Sequence, residues 1–224
     1  MIRHHAPGDA KGIAHHPSDE LLLAYAAGAT DEAVGLIVAT HMALCSQCRA
    51  TVAAMEKIGG SLLEALPPAP LADTALDAAL TKLDNARPHV RPHRTPSRDG
   101  TPEVLRAYLG GDLSQARWRR MGPKLAYLPL FRHGRTSAKL LRGAPGTEVG
   151  AHSHHGQEFT LVLAGGFTDV TGSYGPGDLQ FADANLRHNP IADPGMDCVN
   201  LAVTTAPLKF ENLLQKIAGP IFGF

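Results

Sequence analysis

Cysteine is scarce in this chain, with three in 224 residues, and so sparse and odd a set excludes the disulfide framework of a small secreted protein. Long apolar runs are also missing, so the sequence predicts no transmembrane helix. The N-terminal stretch MIRHHAPGDAKGIAHH lacks the apolar segment that a signal peptide needs. These absences together favour a protein of the reducing cytoplasm with no membrane partner.

Aromatic residues and net charge are low as well: aromatics make up 5% of the chain and the formal net charge is zero. Neither a stacking platform nor a large basic surface for nucleic acid is therefore expected. One local exception is the proline- and arginine-rich stretch RPHVRPHRTPSRDGTP, residues 87–102. Its composition is typical of a linker, and its prolines argue against the alternative of a basic nucleic-acid-binding arm.

Residues 17–86 carry the apolar spacing of four short helices. Ser18 is a suitable N-cap for the first helix, and Thr30 for the second. A third helix is predicted over about 45–66, where Pro67 ends it. The stretch ADTALDAALTKLDNA predicts the fourth.

After residue 102 the spacing of apolar residues changes from a helical to a strand-like period. A short helix, EVLRAYL, is followed by short strand-like runs separated by Gly, Pro, Asn and Asp, the pattern of an all-β sandwich or barrel. These runs are ARWRRM, LAYLPL, SAKLLRG, EFTLVLAG, GFTDVTG, DLQFAD and CVNLAVTT. The final stretch, LKFENLLQKIAGPIFGF, predicts an amphipathic helix that covers an end or edge of the sheet.

The chain thus divides into four predicted parts. They are a flexible extension (1–14), a helical domain (15–86), a linker (87–102) and a β-domain (103–224). The predicted fold class is α+β multidomain, with a small all-α bundle followed by an all-β barrel.

The stretch HMALCSQC places an imidazole and two thiols at helical spacing. His41 and Cys45 are four residues apart and Cys45 and Cys48 are three apart, separations that share a helix face. Two thiolates and an imidazole suit Zn²⁺, which takes a fourth ligand in tetrahedral geometry. His16 or its neighbour His15 precedes the first helix and can close the site. Zinc would then supply folding free energy to a domain with a thin core.

Other interpretations of the cysteines stay open at this level. They could be small buried core residues, with His41 as a core histidine. A thioredoxin-like pair needs a strand-to-helix context, which is missing here. Alternatively, oxidation of zinc-bound thiols could unfold the helical domain and free a partner. Cys198 lies in a predicted strand and is expected to be buried rather than reactive.

A second constellation lies in GTEVGAHSHHGQEFTLVLAG. His152 and His154 fall on one face of a strand, and Glu158 keeps the same parity after a short turn, whereas His155 points to the other face. His188 follows the predicted strand DLQFAD, which can bring it to the same barrel interior. Three imidazoles and a carboxylate are a complete set for a divalent metal such as Zn, Mn, Fe or Ni.

The spacing of this second constellation is similar to the first cupin motif, GX5HXHX3EX6G, at every position. The matching residues are Gly146, His152, His154, Glu158 and Gly165. The second cupin motif is partial, since GPGD and His188 are present but the usual PxG spacing is not. The resemblance implies a cupin barrel, the double-stranded β-helix or jelly roll.

The N-terminal half resembles zinc-binding anti-sigma factors, whose signature is an upstream histidine followed by HxxxCxxC on a small helical bundle. Here those residues are His16, His41, Cys45 and Cys48. Joined to a cupin-like domain, this half resembles the ChrR-type anti-sigma factors, and the resemblance runs from about residue 15 to the end of the chain.

That resemblance implies a regulator rather than an enzyme. Its partner would be an extracytoplasmic-function (group IV) sigma factor, bound one-to-one by the helical domain, which hides the surfaces used for core RNA polymerase and promoter DNA. The cupin-like domain would mediate release on an oxidative signal such as singlet oxygen.

The partner surface is expected among the apolar stripes of the helices. Candidates are Leu21, Leu22, Tyr25, Leu36, Ile37, Val38, Leu76, Leu80 and Leu83. The pattern does not separate core from interface. A rival hypothesis is a metal-dependent cupin dioxygenase with a regulatory helical domain, since three histidines and one glutamate can hold Fe²⁺ with open positions for oxygen and substrate.

Overall fold

The computed structural model describes residues 12–86 and 96–210. Its helices are α1 (Asp19–Ala26), α2 (Glu32–Leu44), α3 (Ser46–Glu64), α4 (Ala75–Asp84) and α5 (Glu103–Leu109). Its strands are β1 (Arg119–Arg120), β2 (Leu125–His133), β3 (Thr136–Gly143), β4 (His152–His154), β5 (Glu158–Ala164), β6 (Phe167–Asp169), β7 (Gly172–Tyr174), β8 (Leu179–Ala182), β9 (Ile191–Ala192), β10 (Cys198–Thr204) and β11 (Leu208–Phe210). Helices first and antiparallel sheets second confirm the predicted fold class.

The helix starts follow local capping chemistry. The Ser18 hydroxyl accepts a hydrogen bond from the Leu21 N–H and begins α1, as the sequence predicts. The prediction that Thr30 caps α2 is wrong: the Asp31 carboxylate does so, accepting from the Val34 N–H at 2.9 Å. A carboxylate at this position also complements the positive end of the helix dipole.

The β-domain is built of antiparallel sheets. A six-stranded sheet has the order β1-β2-β3-β10-β5-β8, and shorter sheets pair β7-β6-β9 and β11-β4. Apolar side chains of the large sheet meet those of the smaller ones in the interior, as where Val162 and Cys198 pack with Phe167 and Ala192. This is the arrangement of a jelly-roll barrel.

Helix α2 belongs to both parts of the molecule. Its residues Ala33, Val34, Leu36 and Ile37 share one buried core with the outer face of the large sheet. Its N-terminal end is also tied to the β-domain, because Glu32 accepts a hydrogen bond from the Tyr108 hydroxyl at 2.9 Å. The two predicted domains therefore pack together as one hydrophobic unit.

The ends of the predicted extension and of the predicted linker contact the β-domain. Residues 1–11 and 87–95 lie outside the described part, but Ala14 at the end of the predicted extension donates its N–H to Asp178. At the end of the predicted linker, Arg98 donates its N–H to Asp112 and Thr101 is buried. The ends of both segments are held by backbone hydrogen bonds to the β-domain.

The prediction that the C-terminal stretch begins as a helix is wrong. Leu208–Phe210 forms strand β11, which pairs with β4, and not the first turn of a helix. Residues 211–224 lie outside the described part. Among the helices that the structure describes, none has the length and apolarity to cross a membrane.

Candidate metal centres

The first candidate centre, called here the helical centre, gathers His16, His41, Cys45 and Cys48. His16 precedes α1 and His41 lies in the last turn of α2. Cys45 separates α2 from α3, and Cys48 lies in the first turn of α3. The tight connection between α2 and α3 turns the two thiols toward the imidazoles.

The four ligand atoms of the helical centre lie within 4.8 Å of one another. His41 Nε2 is 3.3 Å from the Cys48 sulfur, and His16 Nδ1 is 3.5 Å and 3.4 Å from the Cys45 and Cys48 sulfurs. The structure thus brings together the four predicted residues and selects His16 over His15. Two sulfurs and two ring nitrogens are a tetrahedral donor set for zinc.

The surroundings of His41 prepare it as a ligand. Its Nδ1–H donates to the Gly177 carbonyl at 2.9 Å, so the neutral ring presents the lone pair of Nε2 to the sulfurs. The pKa of His41 is lowered, chiefly by burial. The ring is therefore held neutral, which is the form that binds a metal.

The thiols fit a cation as well. Burial and the neighbouring Cys45 raise the pKa of Cys48 to about 12. A thiolate next to a second sulfur is unfavourable unless a positive charge lies between them, and a bound metal ion supplies that charge.

The second candidate centre, called here the cupin centre, gathers His152, His154, Glu158 and His188 inside the barrel. All four side chains are buried. His152 and His154 are the ends of β4 and Glu158 begins β5, while a bridge between His152 and His188 brings the fourth residue to them. His155, which directly follows β4, is exposed and lies apart from the centre.

The ligand atoms of the cupin centre face one another closely. Glu158 Oε2 lies 3.0 Å from His154 Nε2 and 3.7 Å from both His152 Nε2 and His188 Nε2. The Nε2 atoms of His152 and His188 are 3.0 Å apart. Four donor atoms this close make a ready cation site.

Each imidazole of the cupin centre is oriented by a partner that can only accept. The Nδ1–H groups of His152 and His154 donate to the carbonyls of Gly150 and Asp183, at 2.7 and 3.0 Å. His188 Nδ1–H donates to the Asp169 carboxylate at 2.7 Å. The Nε2 atoms of the three rings therefore point at one place, beside the Glu158 carboxylate, where they can bind a metal ion.

The surroundings of Glu158 favour its charged form. Burial alone would raise the pKa of Glu158, but hydrogen bonds from the three histidines outweigh it and hold that pKa well below its usual value. Burial likewise opposes a charge on His188, yet its bonds to Glu158 and Asp169 raise its pKa. The carboxylate is therefore ionised and ready to bind a cation.

A cavity of about 50 Å³ adjoins the cupin centre, lined by His152 and Glu158 and further along by Asn200 and Cys198. That is room for a few water molecules. Cys198 is buried, as predicted, and burial raises its pKa to about 11. Its thiol is therefore an apolar lining group.

Sequence reasoning missed the residues that orient the ligands. Asp169, Gly177 and Asp178 contact ligand residues or their neighbours from distant parts of the chain. The GPGD stretch that contains Gly177 and Asp178 was recognised only as part of a motif. Its contact with the helical centre depends on how the two domains pack, for which the sequence gives no signal.

Comparison with known proteins decides the family. A family model described as the ChrR cupin-like domain matches residues 108–208. The anti-sigma-E factor ChrR of Cereibacter sphaeroides is 42% identical over 210 residues, which is 94% of this chain and 98% of that protein. The chain belongs to the ChrR family of anti-sigma factors.

A solved structure agrees with this assignment over nearly the same length. The crystal structure of Rhodobacter sphaeroides SigE in complex with the anti-sigma ChrR matches 86% of this chain and 99% of that chain, with a TM-score of 0.73 and 40% identity. Anti-sigma factors regulate transcription and are not enzymes. Membership of the ChrR family thus decides against the dioxygenase hypothesis.

Proposed function

We propose that this protein sequesters an extracytoplasmic-function (group IV) sigma factor in a one-to-one complex. The bound sigma factor is then kept from core RNA polymerase, in the cytoplasm where the polymerase acts. The observation that carries the proposal is a run of exposed leucine and isoleucine side chains on α3, on α4 and on the connection between them.

This apolar surface comprises Ile58, Leu62, Leu63, Leu66, Leu71, Leu76, Leu80 and Leu83. Eight of the fifteen exposed large apolar residues in the described part of the chain thus fall within 26 consecutive positions. Helix α4 has no buried residue at all. Apolar surface concentrated in this way on a soluble protein marks a site for a partner.

Burial supports this choice of surface. Leu22, Leu36, Ile37 and Val38 are buried in the protein's own cores, and the partly buried Leu21 and Tyr25 pack against those cores. The leucines of α4 remain exposed. An amphipathic helix with an unpaired apolar face suits the helix-in-groove mode of recognition.

The similarity to ChrR supports a sigma factor as the partner. In the solved structure with which this chain shares 40% identity, the anti-sigma ChrR is bound to SigE. We extend this to a sigma factor of the same class, without direct contact to nucleic acid.

We further propose zinc as the ion of the helical centre, held by His16, His41, Cys45 and Cys48, because two thiolates and two imidazoles are its preferred set. The cupin centre, with His152, His154, Glu158 and His188, would hold zinc, or alternatively manganese, iron or nickel. In this division of labour, residues 15–86 bind the sigma factor. Residues 103–224 receive an oxidative signal such as singlet oxygen and promote release.

The test is a binding titration between the full chain and the extracytoplasmic-function sigma factors of its organism. We expect one of them to form a one-to-one complex by calorimetry and light scattering. The double variant Leu76→Glu, Leu83→Glu should lose the complex. The double control Val170→Glu, Met196→Glu adds the same charge at two exposed apolar sites on the β-domain and should keep it.

Absence of a complex with any of these sigma factors would refute the proposed function. If the double variant bound as tightly as the unmodified chain, the assignment of the apolar surface would be wrong.

A further inference from the structure

We propose that one continuous segment, residues 175–183, couples the two metal centres, so that filling the cupin centre tightens the hold of the helical centre on its ion. The inference rests on the proposed metal sites and adds a route of regulation between them. The carrying observation is that the two ends of this segment contact ligands of different centres.

The first end of the segment holds the helical centre. The Gly177 carbonyl accepts the Nδ1–H of the ligand His41 at 2.9 Å. Asp178 accepts the N–H groups of Ala14 and His15 at 2.7 and 2.8 Å, and the Leu179 N–H donates to the His15 carbonyl at 3.0 Å. His15 directly precedes the ligand His16.

Both imidazole ligands of the helical centre are therefore positioned by the β-domain, while both thiol ligands belong to the α2–α3 connection. The geometry of the helical centre depends on this division. A shift of the segment would move the two imidazoles relative to the two sulfurs.

The other end of the segment holds the cupin centre. Gln180 donates to Asp169 at 2.7 Å, and Asp169 accepts from the ligand His188 at 2.7 Å. The Asp183 carbonyl accepts from the ligand His154 at 3.0 Å. Within β8, Ala182 is the register partner of the ligand Glu158.

The segment between these contacts is short and closely packed. Six residue steps separate Gly177 from Asp183, about 20 Å of extended chain. Gly177 has φ +92°, and a Cβ there would lie 2.6 Å from the Ile13 side chain, so only glycine fits. A contiguous chain of hydrogen bonds on a paired strand is a physical route for coupling two sites.

The direction of coupling follows from charge. Hydrogen bonds already gather Glu158 and the three imidazoles, and a bound cation would hold the carboxylate and the three rings together more strongly. It would thereby fix His188 and His154, and with them the positions of Asp169 and of the Asp183 carbonyl next to β8. The same segment would then hold its contacts to His41 and His15 more firmly.

The experiment uses the full chain and cobalt(II) as the probe. Thiolate-to-cobalt absorption reports the helical centre alone, because the cupin centre has no sulfur ligand. The chain is loaded with one or with two equivalents, and decay of this absorption is followed after a chelator is added. The variant Asp178→Asn weakens the link. The carboxylate accepts the N–H groups of Ala14 and His15 with Oδ1 and that of Gly175 with Oδ2, whereas an amide has one acceptor oxygen.

A matched control is Asp99→Asn. Asp99 also accepts backbone N–H groups from two segments, those of Thr101 and Ser114, but neither segment supplies a ligand to either centre. In the unmodified chain we expect the second equivalent to slow the decay by about threefold or more. The ratio of the decay rates with one and with two equivalents should stay the same in the control. In Asp178→Asn it should fall close to one.

A ratio near one in the unmodified chain, or a ratio in Asp178→Asn equal to that of the control, would overturn the coupling. Absence of thiolate-to-cobalt absorption in the unmodified chain would instead overturn the proposed helical metal site, and the coupling with it. If Asp178→Asn fails to fold, hydrogen exchange of the unmodified chain decides. Filling the cupin centre must slow exchange of the Leu179 amide, and unchanged exchange overturns the proposal.

Discussion

Two leucine-to-alanine substitutions of identical chemistry should have opposite effects in this protein. Leu36 on α2 is 3% exposed and lies in the core shared with the large sheet, whereas Leu76 on α4 is 68% exposed. The first side chain stabilises the fold. The second is available to a partner.

The magnitudes follow from burial. Removing a fully buried leucine side chain costs about 2–5 kcal/mol, as the lost transfer free energy and the cavity left behind add up. Removing an exposed leucine changes stability by less than about 0.5 kcal/mol. At a partner interface, however, its loss should weaken binding by about 1–2 kcal/mol, or roughly five- to thirtyfold in Kd.

The assay pairs urea unfolding with a sigma-factor titration for each variant. Leu36→Ala should lower the free energy of unfolding by about 2–5 kcal/mol, in a single transition, because α2 and the sheet share one core. Its affinity for sigma should be unchanged where it is folded. Leu76→Ala should leave the free energy of unfolding nearly unchanged and weaken sigma-factor binding.

The reasoning would be refuted by weak destabilisation in Leu36→Ala together with a loss of affinity. That result would mean that α2 leaves the sheet to meet the partner. Two separate unfolding transitions would likewise contradict a shared core.

Further predictions concern the two centres and one buried lysine. Cys45→Ala, or chelation of the unmodified chain, should abolish metal binding at the helical centre and sigma binding together, as followed by metal analysis, helical circular dichroism and titration; retained inhibition without metal would contradict this. His154→Ala should leave sigma binding largely intact but blunt release in cells exposed to singlet oxygen, measured with a reporter of the sigma factor, and loss of sigma binding would show that the domains do not divide labour in this way. Burial lowers the pKa of Lys139 to about 8 from 10.5, although Glu158 acts in the opposite direction. Between these values the unfolded chain binds more protons than the folded chain, so the free energy of unfolding should rise from pH 8 to pH 10.5, by at most about 3 kcal/mol. In denaturant unfolding, Lys139→Met should lack this increase. An equal rise with pH in both proteins would contradict the prediction.

Much of the metal chemistry was readable in the sequence because it depends on local spacing. His41, Cys45 and Cys48 are close together through one short connection between two helices, and His152 and His154 through the alternation of one strand. His188 required only that a later strand return to the same barrel. The sequence could not decide whether His15 or His16 is the fourth ligand, because the choice depends on how the β-domain binds the backbone of this segment.

The partner surface could not be predicted from the sequence, for a physical reason. Leu36 and Leu80 both lie on apolar helical stripes, and the pattern does not reveal which stripe finds a partner within the chain. Packing of α2 against the sheet is a long-range contact between parts that the composition separates. The start of the predicted C-terminal helix failed likewise, since Leu208–Phe210 pairs with a distant strand.

Transcription by core RNA polymerase, reconstituted with the cognate sigma factor and its promoter, tests the central claim most directly. One equivalent of the full metal-loaded chain should abolish transcript formation, while the Leu76→Glu, Leu83→Glu variant at the same concentration leaves it near the uninhibited level. Undiminished transcription in the presence of the unmodified chain would contradict sequestration. Equal inhibition by both proteins would contradict the role of the apolar surface of α3 and α4.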